Sequence, residues 1–196
     1  SKQLDEAKRQ TLYETLEALR EAGELGFAAG EASVEEIESE NVVGATCLAM
    51  RRAMDALAEN CGGLWKPIAR DEADGLFSDE AATRPRWLVL VDGPPMKRLP
   101  YAHEGLVKGD SKSLAAAMAS IVAKVTRDRL MRAMAERFPA YDFASNKGYG
   151  APKHLRALEE HGPTEFHRPR FLRKILGCEE GKATKEESPQ TLLSLG

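Results

Sequence analysis

The feature that most constrains the fold is the apolar run Trp87-Leu88-Val89-Leu90-Val91, which ends at Asp92-Gly93-Pro94-Pro95. A short apolar run bounded by turn residues indicates a buried β-strand, and the Gly-Pro pair requires a turn directly after it. A weaker strand pattern covers residues 104–109 and ends at Asp110, and the small apolar residues at 25–32 predict a further strand.

Helical patterns alternate with these strands. Predicted helices cover residues 1–22 with Ser1 as N-cap, 33–57 with a Ser33/Glu36 capping box, 113–137 and 152–161. Alternating strands and helices predict an α/β fold, in which a sheet is flanked by helices. We assign residues 1–176 to one domain, with a surface insertion at about 59–85 and a disordered polar tail at 177–196.

Composition excludes several classes of protein. No apolar run approaches the ~18 residues of a membrane span, and no secretory signal is recognisable. The three cysteines are too few for a disulfide framework and none lies in a CxxC motif, so a structural zinc site is not expected either. We therefore expect a cytoplasmic protein without a membrane segment.

The net charge of −3 conceals an uneven distribution. Residues 1–40 hold 4 Lys/Arg against 11 Asp/Glu, whereas residues 97–175 hold 16 against 8. A basic block in an acidic chain suggests an anionic ligand such as nucleic acid or phosphate, although a solvated basic surface is the simpler alternative.

Two acidic residues, Asp92 and Asp110, each follow a predicted strand. Ligands of α/β proteins gather where strands end and loops begin, so the two carboxylates could converge. Converging carboxylates repel unless they share a proton or a cation, and a hard divalent cation such as Mg²⁺ prefers oxygen ligands. The alternative is that Asp92 only begins a turn and Asp110 only caps a helix.

The residues around Asp110 favour the metal hypothesis. In the run Lys108-Gly109-Asp110-Ser111-Lys112-Ser113, two lysines and two hydroxyls surround one carboxylate at the predicted start of a helix. Such groups can hold a phosphate, and a metal-binding carboxylate beside a phosphate site is what phosphodiester hydrolysis needs.

A third feature is the run Asn146-Lys147-Gly148-Tyr149-Gly150. Glycines on either side of Tyr149 can present its ring for stacking on a base or sugar, and its hydroxyl can contact a 2′-OH. A turn with a packed tyrosine is the alternative. The four histidines form no HxxxH motif, so we assign them to surface or structural positions, from which His167-Arg168 could contact phosphate.

Taken together, these stretches resemble the bacterial ribonuclease HII family, the type 2 ribonucleases H. The matching stretches are SKQL at 1–4, NVVGATCLAMRRA at 41–53, LVDG at 90–93, VKGDSK at 107–112, ASIVAKVTRD at 119–128, KGYG at 147–150 with His154, and GPT at 162–164 with His167-Arg168. They cover residues 1 to about 175 in the order of the family, and the combination of VKGDSK, ASIVAKVTRD and KGYG is highly specific.

The resemblance implies a ribonuclease H-like mixed sheet with a C-terminal helical region. It also implies a monomer that uses Mn²⁺ or Mg²⁺ to hydrolyse RNA in RNA–DNA hybrids and to cut at ribonucleotides embedded in duplex DNA, as in ribonucleotide excision repair. The residues that match the family motifs are Asp92 and Asp110 as catalytic metal ligands, Tyr149, Lys112, Ser111, Lys2 and Lys147 as substrate-binding residues, and Asp128 as an auxiliary residue.

One departure from the family bears on activity. The family opens with two strands, the first of which carries an Asp-Glu pair followed by a Gly-Arg-Gly segment, and this combination does not occur here. We therefore expect a fold without its first two strands and an isolated chain that is unstable, aggregated or inactive. A catalytically dead nucleic-acid-binding module and a phosphate-handling α/β protein are the alternative functions.

Overall fold

The computed structural model describes residues 4–61, 65–70 and 87–176. Its elements in these ranges are the helices α1 (Glu6–Glu21), α2 (Val34–Asn60), α3 (Leu114–Arg137), α4 (Phe143–Asn146), α5 (Pro152–His161) and α6 (Pro169–Leu176), and the strands β1 (Leu90–Asp92) and β2 (Glu104–Leu106). Short 3₁₀ helices cover Gly109–Ser111 and Pro139–Tyr141. Every helix in the described part is too short or too polar to span a lipid bilayer.

The two strands form a parallel pair, with Leu90 opposite Glu104 and Asp92 opposite Leu106. The prediction of strand followed by strand is confirmed, but β1 begins three residues later than the apolar run, and Trp87 and Leu88 are exposed. In the described part the sheet has these two strands and one isolated antiparallel bridge, Ala69 to Tyr101, so the predicted mixed sheet is seen only in part. A helix-rich fold with a small parallel sheet is compatible with the α/β class.

The connection between β1 and β2 is compact and contains no helix. Leu99 is fully buried in a small core with Cys47 and Val91. The His103 ring closes the turn, since its Nε2 accepts the Met96 N–H at 2.9 Å. The parallel strands are therefore joined by residues 93–103 alone, so their ends are held in fixed relation.

The predicted strand at 25–32 is wrong. These residues form neither a strand nor a helix, and they pack by their side chains instead. The Phe27 ring meets the Tyr13 ring edge-on at 5.8 Å, and a Cβ on Gly30 would collide with the Ala49 carbonyl oxygen of α2. The small apolar residues thus reflect close packing on helices, which the same pattern cannot separate from strand pairing.

Helix caps mostly follow the local sequence. The Ser33/Glu36 capping box is present at the start of α2. The first helix, however, begins at Glu6 with Asp5 as its N-cap, so the Ser1 cap was wrong. The helices predicted at 113–137 and 152–161 are confirmed within one residue.

A bend in α2 at Asn41 has no counterpart in the prediction. Asn41 has a left-handed φ of 57°, and its side-chain oxygen accepts the N–H groups of Val43 and Gly44 and so caps the second arm. Across the bend, the Arg52 guanidinium donates to both carboxylate oxygens of Glu36, at 2.8 and 2.6 Å, and lowers the pKa of Glu36 to about 2. Glu36, which belongs to the capping box at the start of α2, is thereby tied to the part of α2 that follows the bend.

Helix α3 contributes to two of the three hydrophobic cores found among the described residues. Its Ile121, Val122 and Val125 pack on Tyr13 and Leu16 of α1. Its Met134 joins the second core, the members of which are Tyr141, Phe143, Ala157 and Leu158. An ion pair between Arg132 and Glu6 further links α3 to α1.

The insertion is described only in part. Residues 65–70 lie along residues 100–102, with the Arg70 N–H donating to the Pro100 carbonyl at 2.8 Å and the Ala102 N–H to Ile68 at 2.9 Å. Helix α2 reaches Asn60, so the predicted insertion boundary at 59 lies within the helix. The remainder of the insertion, the predicted tail at 177–196 and Lys2 lie outside the described residues.

Candidate active site

Asp92 and the turn that carries Asp110 are in direct contact. Asp92 is the last residue of β1, and its Oδ1 accepts the Gly109 N–H at 2.6 Å. The chain reaches this position through Lys108, which has a left-handed φ of 58°. A Cβ on Gly109 would lie 3.2 Å from Asp92 Cα and 3.3 Å from its Oδ1, which is tighter than ordinary contact, so glycine favours this close approach.

Asp110 follows Gly109 in a short 3₁₀ helix. Its carboxylate is half-buried and accepts a long hydrogen bond of 3.3 Å from the Ser111 hydroxyl, whereas Asp92 is exposed. Ser113 then caps α3 through the Ala116 N–H. Strand β2 ends at Leu106, earlier than the predicted residue 109, and the chain then turns so that Gly109 contacts Asp92 at the end of β1.

The donor set suits a cation that is shared with a substrate. The described residues contain no cluster of three or more His, Cys, Asp or Glu side chains placed to hold a metal ion. Proteins commonly bind Mg²⁺ through one or two carboxylates together with water and substrate phosphates. Asp92 and Asp110 offer that number of carboxylates beside the exposed Ser111 and Lys112, so they fit an ion held in part by phosphate rather than an all-protein cage.

Tyr149 lies on a different element, the loop between α4 and α5. Buried Asn146 fixes this loop, since its amide donates to the Tyr141 carbonyl at 2.7 Å and its side-chain oxygen accepts the Gly148 N–H at 2.8 Å. Lys147 and Gly148 have left-handed φ values of 52° and 80°. The Tyr149 side chain emerges with 67% of its surface exposed, so the alternative of a packed tyrosine is wrong.

Lys147 is a half-buried residue rather than a free surface cation. Burial lowers the pKa of its ammonium group, and nearby Asp128 opposes that change. Its carbonyl accepts an N–H of Arg127 at 3.1 Å, which ties the tyrosine loop to α3.

Asp128 is buried within an ion-pair cluster between α1 and α3. Lys124 Nζ lies 2.6 Å from its Oδ1, and the Arg9 guanidinium lies 3.9 Å from its Oδ2. Asp128 is buried, with 3% of its surface exposed, and its auxiliary role stays a prediction.

Two histidines that we placed among structural positions form a connected pair. His154 is buried on α5, and its Nε2 lies 3.0 Å from Nε2 of His167. The other nitrogen of His154 lies 3.0 Å from the Tyr149 carbonyl oxygen. The residues are thirteen apart, so no sequence motif signals the contact; only the folding of the chain after α5 reveals it.

Comparison with known proteins is consistent with these features. Residues 90–174 match the sequence model of the family described as ribonuclease HII. The chain is 43% identical over 171 residues to a protein named Ribonuclease HII from Listeria monocytogenes strain HCC23, covering 87% of this chain and 54% of that protein. It is 40% identical to proteins of the same name from Fusobacterium nucleatum, over 93% of this chain and 74% of that protein, and from Polynucleobacter necessarius, over 90% and 78%. The chain thus spans about half the length of the Listeria relative and about three quarters of the other two.

Proposed function

The chain belongs to the ribonuclease HII family, and from this we propose that Asp92 and Asp110 serve a divalent-metal-dependent endoribonuclease. Its substrates would be RNA–DNA hybrids and duplex DNA with embedded ribonucleotides, as in ribonucleotide excision repair. The observation that carries the proposal is the hydrogen bond from the Gly109 N–H to Asp92.

That bond fixes one oxygen of the Asp92 carboxylate. It also holds Asp110, the residue after Gly109, at the same edge of the strand pair. These two residues would hold Mg²⁺ or Mn²⁺. Such an ion, when bound, supplies Lewis acidity and a water of lowered pKa for phosphodiester hydrolysis.

Charged and polar side chains beside the carboxylates can orient the phosphate. Ser111 and Lys112 are exposed next to Asp110, where a hydroxyl donor and an ammonium group can contact phosphate oxygens. Phosphate contacts position a nucleic acid without reading its sequence. Recognition of the ribonucleotide is a separate task, which the exposed Tyr149 can perform by stacking on the sugar or base and contacting the 2′-OH.

The proposal is tested by following Mn²⁺ with NMR, because paramagnetic broadening reports the position of the ion. The amide signals of Gly109, Asp110 and Ser111 should broaden first. In the variants Asp92→Asn and Asp110→Asn, the Mn²⁺ concentration that broadens these signals to half their intensity should rise by about tenfold or more. Glu104→Gln is the matched control, since Glu104 is exposed at the opposite end of β2.

The second measurement is binding and cleavage of a DNA duplex that contains one ribonucleotide. Salt-sensitive and Mn²⁺-enhanced binding supports the proposal, and cleavage at the ribonucleotide would in addition contradict the expected inactivity of the isolated chain. If the affinity for the duplex changed neither with Mn²⁺ nor in the two Asp→Asn variants, the nucleic-acid-binding module would be favoured instead. If Mn²⁺ did not broaden the amide signals of residues 92 and 109–111, the assignment of the site would be overturned.

A further inference from the structure

A chain of hydrogen bonds runs from Thr164 through His167 and His154 to the main chain of Tyr149. We propose that His154 and His167 are positioning residues that act as a neutral pair, in opposite tautomers, to hold the Tyr149 carbonyl and thereby aim the exposed ring at a ribonucleotide. The nucleic-acid part of this statement rests on the proposed function, whereas the hydrogen-bond chain does not.

The hydrogen-bond partners determine which nitrogen of each imidazole ring carries the proton. The Thr164 N–H can only donate, and it lies 3.0 Å from His167 Nδ1, so that nitrogen accepts. A neutral His167 then carries its proton on Nε2 and donates to His154 Nε2 at 3.0 Å. His154 in turn carries its proton on Nδ1 and donates to the Tyr149 carbonyl at 3.0 Å. This is the one arrangement of neutral rings that satisfies all three contacts.

Aromatic rings enclose the pair. The Phe143 ring lies edge-on to His154 with the centroids 5.3 Å apart, and the Tyr141 centroid lies 5.2 Å from that of His167. Burial and the neighbouring His154 ring lower the pKa of His167, which favours the neutral form of that ring. The surroundings therefore favour the protonation state that the hydrogen-bond chain requires.

The peptide groups of Tyr149 are held on both sides. Its N–H donates to the Asn146 carbonyl at 2.9 Å, and its carbonyl accepts the Ala151 N–H at 2.8 Å as well as the His154 proton. The side chain itself is mostly in solvent. The main chain consequently fixes the direction in which the Cα–Cβ bond of Tyr149 leaves the loop, and His154 is the side chain that reaches that carbonyl from α5.

The first test is ¹⁵N NMR of the imidazole rings in the full chain near pH 8. The two tautomers differ in the ¹⁵N shifts of their protonated and unprotonated nitrogens. We expect the Nδ1–H form for His154 and the Nε2–H form for His167. Finding the Nε2–H form at both residues would overturn the proposal, because no proton would then face the Tyr149 carbonyl.

The second test compares His154→Asn with His154→Gln. The asparagine amide can occupy the place of Nδ1 and still donate to Tyr149, whereas the glutamine amide reaches the place of Nε2 and leaves the Tyr149 carbonyl without this donor. Hydrogen exchange at the Ala151 N–H should therefore be about tenfold faster in His154→Gln than in His154→Asn. A role in packing alone predicts the reverse order, because asparagine leaves the larger cavity.

Binding of the duplex with one ribonucleotide, relative to all-DNA duplex, gives the functional reading. The preference should survive in His154→Asn and fall by about tenfold in His154→Gln. Equal exchange in the two variants would overturn the positioning pair. The expected exchange order with an unchanged duplex preference would confirm the hydrogen-bond chain and overturn the role of Tyr149 in the proposed function.

Discussion

Replacing Gly109 with alanine should damage the candidate site without removing any of its functional groups. The new Cβ would lie 3.2 Å from Asp92 Cα and 3.3 Å from Asp92 Cβ and Oδ1, whereas ordinary contacts begin at 3.4 Å. The nearest of these atoms belongs to the main chain of β1, which is paired with Leu106 and cannot rotate away. The turn that carries Asp110 must therefore move outward by a few tenths of an ångström.

The cost can be worked from this geometry. Overpacking of this kind typically costs about 1–3 kcal/mol, and the stiffer unfolded chain returns about 0.4–1 kcal/mol when glycine becomes alanine. We expect a net loss of about 1–2 kcal/mol in the free energy of unfolding. Affinity for Mn²⁺ should fall by about tenfold, since the two carboxylates no longer share their original spacing.

Urea unfolding and Mn²⁺ titration by NMR measure the two effects. Gly150→Ala is the matched control, because a Cβ there meets its nearest neighbour, a Leu155 methyl, at an ordinary 3.8 Å. It removes a glycine from the unfolded chain in the same way but adds no clash. If Gly109→Ala matched Gly150→Ala in both stability and Mn²⁺ affinity, the close contact would not hold the carboxylates together, and the reasoning would fail.

Three further predictions concern the remaining candidate residues. Tyr149→Ala should leave the free energy of unfolding within about 0.5 kcal/mol, because the ring is exposed, but should abolish the preference for a ribonucleotide in duplex-binding assays; a loss of stability instead would mean that the ring packs. Asp128→Asn should cost about 3–5 kcal/mol in urea unfolding, since it leaves the charges of Arg9 and Lys124 without their buried partner; a change below 1 kcal/mol would contradict this. Burial lowers the pKa of His167 below 6.5, so its folded form binds a proton less readily than the unfolded chain does. The contribution of His167 to stability should therefore be fully present above about pH 6.5 and be lost as the pH decreases below that value. In thermal melts, His167→Gln should make the melting temperature less dependent on pH in this range.

The sequence predicts those parts of the fold that depend on neighbouring residues. The Ser33 capping box and the helices of 113–137 and 152–161 follow from local periodicity and from residues that begin or end helices. The prediction of a strand at 25–32 is wrong because an apolar run indicates burial but not the element against which it packs. Here that element is a helix. The bend at Asn41 likewise depends on how the two arms of α2 pack, since an asparagine side chain can cap a helix wherever the main chain allows it.

The candidate site shows the same division. The proximity of Asp92 to the turn that carries Asp110 follows from sequence reasoning, because that turn comes soon after the strand that pairs with β1. The contact between His154 and His167, the burial of Lys147 and the ion pairs of Asp128 could not be predicted in this way, because each joins residues whose proximity is set by tertiary packing.

The contact between Asp92 and Gly109 also has a kinetic consequence. It closes a loop of 17 residues, whereas the ion pair between Glu6 and Arg132 closes one of 126. The difference in loop-closure entropy corresponds to about 2 kcal/mol in favour of the shorter loop. Contacts between residues near in sequence form early during folding. The loop that carries the candidate site can thus close before α1 docks on α3, so the arrangement of Asp92 and Gly109 does not depend on the long-range contacts of α1.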